Sequence, residues 1–387
     1  MTASVTGLPK ERPVDSDAAL DTLLELIATR RLSYDQAGQL DTETVEAMQH
    51  AGVYRALVPA RFGGDERSPA QFLRLVERIS EADGSAGWVA SFGVSHLYLA
   101  ALPEATLEAL YAGGPDVVFA GALFPPQQAA IEGEGYRVSG RWSFGSGSPG
   151  ASLIGVGIKA GEGPQGGLPR MAVMPATQAR IVPNWDVIGL RGTGSHDIEV
   201  EDVFVPTEWT FVRGAPASID LPIYRYPSMA LAAQVLAVVG LGVGKAALDT
   251  LAATATARAS ITGAPLMAER AHVQIGIAKA EADLRAARAF FYEITEEVWS
   301  IVLAGEKPAR EKIAMVRLAS TNAARAGAQA ARAAFSQAGT AGIYNANPLS
   351  RYLQNAAVVA QHAFLSEGTW QSAGQALLGL DTPPGFP

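Results

Sequence analysis

The stretch Trp185-Asp-Val-Ile-Gly-Leu-Arg-Gly-Thr-Gly-Ser-His-Asp-Ile-Glu-Val-Glu-Asp-Val-Phe-Val-Pro206 decides how this chain is read. Its first half is rich in small residues: Gly189, Gly192 and Gly194, with Thr193 and Ser195 among them. Without side chains in the way, such a loop exposes backbone N–H groups, and two hydroxyls stand beside them. Donors of this kind suit a ligand carbonyl or phosphate. The second half, Ile198 to Phe204, has the apolar pattern of a strand.

A second segment has related character. Gly140-Arg-Trp-Ser-Phe-Gly-Ser-Gly147 carries two aromatic residues, Trp142 and Phe144, at the end of a strand. The turn that follows has a hydroxyl, Ser146, between Gly145 and Gly147, where the backbone can approach a ligand closely. An aromatic wall beside a hydroxyl suits a flat ring system.

Outward from these segments the chain falls into three parts. Residues 1–115 are mostly helical. Leu20, Leu23, Leu24 and Ile27 share one helix face, Asp41 opens a second helix, and Ser68 to Ala82 and Pro103 to Ala112 are further helices. Gly84 to Leu102 reads as one long, nearly uncharged helix and is expected to be central. Residues 116–226 read as a β-barrel or sandwich with a Gly/Pro-rich loop from Gly161 to Gly167. Residues 227–387 hold four long helical segments: Ser228–Ser260, Ala268–Leu303, Ala309–Gln337 and Pro348–Leu378. Their Ala-rich faces permit close packing and predict a four-helix bundle. The order of helices, β unit and bundle predicts an α+β protein.

Composition narrows the function. A chain of 387 residues, 48% hydrophobic and 18% charged, buries a large interior in two or three packed units. A net charge of −8 argues against a nucleic-acid partner, which calls for a basic face. With no cysteine there are no disulfides, thiolate metal sites or cysteine nucleophiles, as suits a cytoplasmic protein. No histidine pair has metal spacing on one helix face, and no metal is expected. Residues 1–13 read as a disordered tail without the apolar run of a signal peptide. The longest apolar stretch, Met229 to Val243, falls short of the ~20 residues of a membrane span. A soluble protein without a membrane partner is the expectation.

Both quoted segments resemble the acyl-CoA dehydrogenase superfamily, most closely its class D flavin-dependent monooxygenases. The resemblance covers roughly residues 15–385. It implies an N-terminal helical domain, a middle β-barrel domain and a C-terminal four-helix bundle that assembles as a homotetramer. It also implies reduced FAD or FMN from a separate flavin reductase, O2 as co-substrate, and hydroxylation of a small aromatic substrate through a C4a-hydroperoxide. Trp142, Phe144, Ser146, Gly147, Trp185, Arg191, Thr193 and Ser195 are the cofactor-binding residues it implies, with Ser146 near the flavin N5. Arg191 has a second reading as an ion-pair anchor. Arg258, in Arg258-Ala-Ser-Ile-Thr-Gly263, matches an arginine that reaches the flavin phosphates of a neighbouring subunit. Here Ile261 replaces the usual phenylalanine and the glycine comes one position late. Gln361-His-Ala-Phe-Leu-Ser resembles the oxygenase branch, in which a histidine matching His362 lies by the flavin. His96 matches a substrate-cavity histidine, suited to taking a proton near neutral pH.

Two rivals stand beside this reading. Glu367-Gly-Thr369 resembles the base motif of the acyl-CoA dehydrogenases, and a carboxylate suits abstraction of a thioester α-proton. Against it, the segment from Arg351 to Glu367 is about two helical turns too long, which on a continuous helix displaces the carboxylate by about 10 Å. The second rival is a flavin-free homologue acting as a binding protein. The intact Trp-Ser-Phe-Gly-Ser-Gly turn argues against it.

Overall fold

A computed structural model describes residues 16–160, 169–257, 265–383 and 386. Arg258, Ile261 and Gly263, the loop 161–167 and the segment 1–13 lie outside the described residues.

The chain opens with helices α1 (Ser16–Ala37), α2 (Thr42–His50), α3 (Pro69–Ala82), α4 (Gly84–Ala90), α5 (Ser95–Leu99) and α6 (Glu104–Tyr111). Asp41 caps α2 by accepting the Thr44 N–H at 2.8 Å. Ser68 and Gln71 form a reciprocal capping box on α3, with Pro69 in its first turn. The long helix expected over Gly84 to Leu102 is divided by a 3-10 turn, Ser91–Val94. The Ser91 hydroxyl donates to the Trp88 carbonyl at 2.7 Å, competing with the helical ladder. At Gly93 a side chain would meet the Phe72 ring and the Val53 carbonyl at 2.9 Å, so the turn is packed tightly in place.

The strands follow: β1 (Phe119–Glu132), β2 (Gly135–Trp142), β3 (Leu153–Ala160), β4 (Arg170–Pro175), β5 (Arg180–Val182), β6 (Asp197–Pro206) and β7 (Thr210–Val212). They form one mixed sheet in the order β5-β6-β2-β1-β3-β4-β7, with β1 and β3 parallel and the remaining pairs antiparallel. The long strand β1 is irregular: its pairing with β3 shifts register between Ala122 and Gln127. The sheet curls until β4 approaches β6, around a core that includes Trp142, Ile154, Val156, Ile158 and Ile198.

After the short α7 (Pro222–Arg225) come α8 (Ser228–Ala257), α9 (Ala271–Leu303), α10 (Arg310–Ala338), α11 (Leu349–Val359) and α12 (Glu367–Leu377). The fourth expected helix is thus two helices, separated by a turn at His362 and a 3-10 turn at Ala363–Leu365. The His362 ring bonds to the Phe364 N–H and caps that turn. Glu367 is therefore not carried on a continuous helix from Arg351, and a helical rise does not set its position.

At 30 residues, α8 is long and apolar enough to cross a membrane, more than the sequence suggested. Yet 94% of its apolar window is buried within the protein. Close helix contact explains this: Gly244 of α8 faces Gly327 of α10, and a side chain on Gly327 would strike the Gly240 carbonyl. The N-terminal helices and the C-terminal bundle share one core, in which Leu73, Val76 and Ile79 of α3 join Val239, Val243 and Ala247 of α8.

Candidate active site

Two loops meet where the sheet joins the helices. One is the turn after β2, residues 143–147. The other is the segment 185–196 before β6. Gly145 N–H donates to the His196 carbonyl at 2.9 Å and Gly147 N–H to the Thr193 carbonyl at 2.8 Å, which fastens one loop to the other. Gly147 has φ 73° and Leu190 φ 53°, so both loops turn sharply.

At their junction lies a chain of buried hydroxyls. Ser146 Oγ is 2.6 Å from Ser195 Oγ, which is 2.7 Å from Thr193 Oγ1. The direction of the protons follows from the ends. Thr193 donates to the Leu190 carbonyl at 2.9 Å, and the Trp88 indole N–H donates to Ser146 Oγ at 3.1 Å. Ser195 must therefore donate to Thr193, and Ser146 to Ser195. Each hydroxyl has one proton, so Ser146 is left with acceptor capacity only.

This corrects the expected use of the glycine-rich loop. The Leu190 N–H donates to Asn355 Oδ1 at 2.7 Å, the Gly192 N–H to Ser85 Oγ at 3.1 Å and the Gly194 N–H to the Gly38 carbonyl at 3.0 Å. These donors hold the protein together and are not presented to a ligand. Thr193 and Ser195 are buried, and their protons are already engaged. The glycines serve packing: a side chain on Gly189 would lie 2.4 Å from the Gln354 carbonyl, and one on Gly192 would lie 2.7 Å from Tyr34 Cβ.

The aromatic wall is also different from the one expected. Trp142 is fully buried, with its indole N–H on the Gly157 carbonyl at 2.8 Å. It belongs to the core of the sheet and offers no face to a ligand. Phe144, by contrast, is 69% exposed at φ 64°, and meets Trp185 edge to face at 6.1 Å. Trp185 is held by its indole bond to the Leu190 carbonyl and by its own N–H on His196 Nδ1. Since His196 Nδ1 also accepts from Asn184 N–H, this buried ring positions the Trp185 segment. The Arg191 guanidinium bonds to the Val187 and Asp35 carbonyls, at 3.1 and 3.4 Å.

His362 lies beside this junction, its ring 5.9 Å from Trp88 and 5.2 Å from Phe364. Nδ1 accepts the Phe364 N–H at 3.2 Å, so in the neutral ring Nε2 carries the proton. Burial, then the Arg213 and Arg317 guanidiniums, push its pKa down to about 4. At neutral pH it is an N–H donor at Nε2.

His96 does not join these residues. It is buried, and Nδ1 pairs with the Tyr111 hydroxyl at 2.8 Å. Burial pushes it down to about 4, against backbone bonds to Val117 and Tyr54. Every partner lies in the N-terminal helices or at the start of the sheet, so His96 is a satisfied core histidine that is neutral at pH 7. Glu367 is the first residue of α12, its side chain 82% exposed and 3.2 Å from Arg325. An exposed, ion-paired carboxylate is a poor proton abstractor.

Sequence reasoning missed Trp88, Ser85, Asn355, Arg213 and Arg317. Trp88 had a signal, an indole needing an N–H partner within an uncharged helix. The others sit in ordinary helical or loop context and are assembled only by the fold.

The residues present fit a flavin. Phe144 and Trp185 offer aromatic surface, Ser146 an acceptor and His362 a donor. Ser148 Oγ, one residue past the turn, is buried without a partner among the described residues.

Residues 234–367 match the family model for the acyl-CoA dehydrogenase C-terminal domain. The chain is 51% identical over 373 residues to the indole-3-acetate monooxygenase of Pseudomonas putida, with 96% of each chain covered. It is 48% identical over 375 residues to the enzyme of the same name from Acinetobacter baumannii, again covering 96% of each. The crystal structure of 3-HSA hydroxylase from Rhodococcus sp. RHA1 superposes with a TM-score of 0.88 at 26% identity, covering 97% of this chain and 99% of that one. Fold and site define an acyl-CoA dehydrogenase-like flavoprotein. Within that superfamily the chain belongs to the flavin-dependent monooxygenases, and it is an oxidoreductase of that kind.

Proposed function

We propose that the chain is the oxygenase component of a two-component system that hydroxylates indole-3-acetate or a close analogue. The observation that carries this reading is the polar junction of Trp88, Ser146, Ser195, Thr193 and His362, most of it buried, supported by near full-length similarity to two indole-3-acetate monooxygenases. Reduced FAD or FMN, delivered by a separate reductase, supplies the two electrons that activate dioxygen. One oxygen atom enters the aromatic ring in place of hydrogen, and the other leaves as water.

The chain's own residues bind, orient and shield. Phe144 and Trp185 present aromatic surface to the cofactor. Ser146 Oγ, its proton held by Ser195, would accept a hydrogen bond from a ring N–H, the form that a reduced flavin carries at N5. His362 donates from Nε2. Trp88 and Phe364 close the space beside it, and excluding water protects a reactive oxygen species from unproductive decay. The subunits form a homotetramer, for which Ile343, Tyr344, Leu377, Leu378 and Leu380 supply exposed apolar surface.

A reductase-free assay tests the reading. The protein is mixed anaerobically with photoreduced FAD or FMN and indole-3-acetate, then with oxygenated buffer, and the products are read by mass spectrometry. A product heavier by one oxygen supports it. Stoichiometric hydrogen peroxide from bound flavin, with indole-3-acetate unchanged, contradicts it.

A further inference from the structure

Several arginines packed against the body of this protein have carboxylate partners among the described residues. Arg351 faces Asp35 and Asp83 at 3.2 and 2.7 Å, Arg288 pairs with Glu77 at 2.7 Å, and Arg55 pairs with Asp65 and Asp116. Two arginines beside His362 have no such partner among the described residues. Arg317, on α10, is only 5% exposed, and among the described residues no carboxylate lies within ion-pair distance of it. Arg213, just past β7, likewise has no carboxylate partner among them. The Nε of each is buried without a hydrogen-bond partner.

Both guanidiniums lie against the same ring. Arg317 Cζ is 5.3 Å and Arg213 Cζ 5.8 Å from the centroid of Phe364. Arg213 also lies over Tyr98 at 4.2 Å, and Arg317 over Phe386 at 5.1 Å. Aromatic faces attract a cation but leave its charge uncompensated. A charge buried without a counter-ion is costly, and here burial alone lowers the affinity of Arg317 for its proton.

We infer that Arg213 and Arg317 receive the carboxylate of the substrate, and that they select an anionic aromatic acid over its neutral analogues. The inference rests on the oxygenase reading above. A guanidinium presents N–H groups in a planar fork that matches a carboxylate. Phe364 and Tyr98 lie against the guanidiniums, and Phe364 and Trp88 flank His362, so aromatic surface suited to the ring portion of such a substrate lies beside the two cations. A flavin phosphate is the other anion of this system. It belongs at the far end of the cofactor from the reacting ring, whereas these arginines lie close enough to His362 to depress its protonation.

Equilibrium binding tests this without turnover. Indole-3-acetate, indole-3-acetamide and indole are titrated anaerobically into the wild-type protein loaded with reduced flavin, and into Arg317→Gln, Arg317→Lys and Arg213→Gln. The wild type is expected to bind the acid at least tenfold more tightly than the amide. Arg317→Gln and Arg213→Gln are expected to erase most of that preference, with indole and reduced-flavin affinities within twofold of wild type, and Arg317→Lys to retain part of it. Equal wild-type affinity for acid and amide overturns the inference. So does a parallel loss for acid and indole in folded variants, or a loss confined to reduced flavin, which assigns the arginines to its phosphate. If Arg317→Gln does not fold, the wild-type ratio and Arg213→Gln decide. Selective binding of the acid without oxygenation leaves this inference standing and removes the oxygenase reading instead.

Discussion

The hydroxyls of Ser146 and Ser195 lie 2.6 Å apart, one from the turn after β2 and the other from the loop before β6. Their contact completes a one-way chain of donors that runs from the Trp88 indole to the Leu190 carbonyl. Its direction makes Ser146 an acceptor. A reduced flavin carries N–H at N5, whereas the oxidised ring carries a lone pair there.

The wild-type protein is therefore expected to bind reduced flavin more tightly than oxidised flavin. Ser195→Ala frees the Ser146 proton to turn outward and narrows that preference. One neutral hydrogen bond contributes about 1 kcal/mol, so the ratio of the two dissociation constants is expected to shrink roughly fivefold. Anaerobic and aerobic fluorescence titrations measure both constants. An unchanged ratio in the folded variant contradicts the assigned direction.

His96 leads to a prediction about pH. Its folded pKa of about 4 lies below the ordinary 6.5, so between these values the unfolded chain binds a proton that the folded chain does not. Stability is complete above the upper value and is lost as pH falls through the window, by at most about 1.4 kcal/mol per pH unit. His96→Gln, which retains a partner for Tyr111, is expected to flatten the urea-denaturation free energy between pH 6.5 and 4.5 relative to wild type. An equally steep profile shows that other groups govern this range.

Glu367 separates oxygenase from dehydrogenase chemistry. Its ion pair with Arg325 is at the surface, where such pairs contribute about 0–1 kcal/mol. Glu367→Gln is expected to leave product yield per reduced flavin within twofold of wild type and thermal stability nearly unchanged. A loss of a hundredfold or more, without unfolding, assigns the carboxylate to the chemistry.

Large parts of this fold were legible in the sequence because periodicity and caps are local signals. Asp41 and Ser68 start helices where their side chains predict, and the alternation at Ile198 to Phe204 is strand β6. The breaks in the helices were not legible. Ser91 and His362 each divide a continuous apolar pattern through a single bond to nearby backbone, visible only once the neighbours are placed. The site was legible in part for a related reason. Ser146, Thr193, Ser195 and His362 do gather at one junction, three of them in a single hydrogen-bond chain. Trp142 and the loop glycines carry the composition of a ligand site but serve packing, because burial depends on tertiary neighbours. Arg213 and Arg317 are 104 positions apart, and no spacing rule joins them.

The central claim is that this chain, given reduced flavin and no other protein, places one atom of dioxygen into an aromatic acid. The most direct measurement uses oxygen-18 gas with chemically reduced flavin and indole-3-acetate, followed by mass spectrometry of the product. One oxygen-18 atom per product molecule is expected, and none when the label is in the water. Product labelled from water, or label recovered only in hydrogen peroxide, contradicts it.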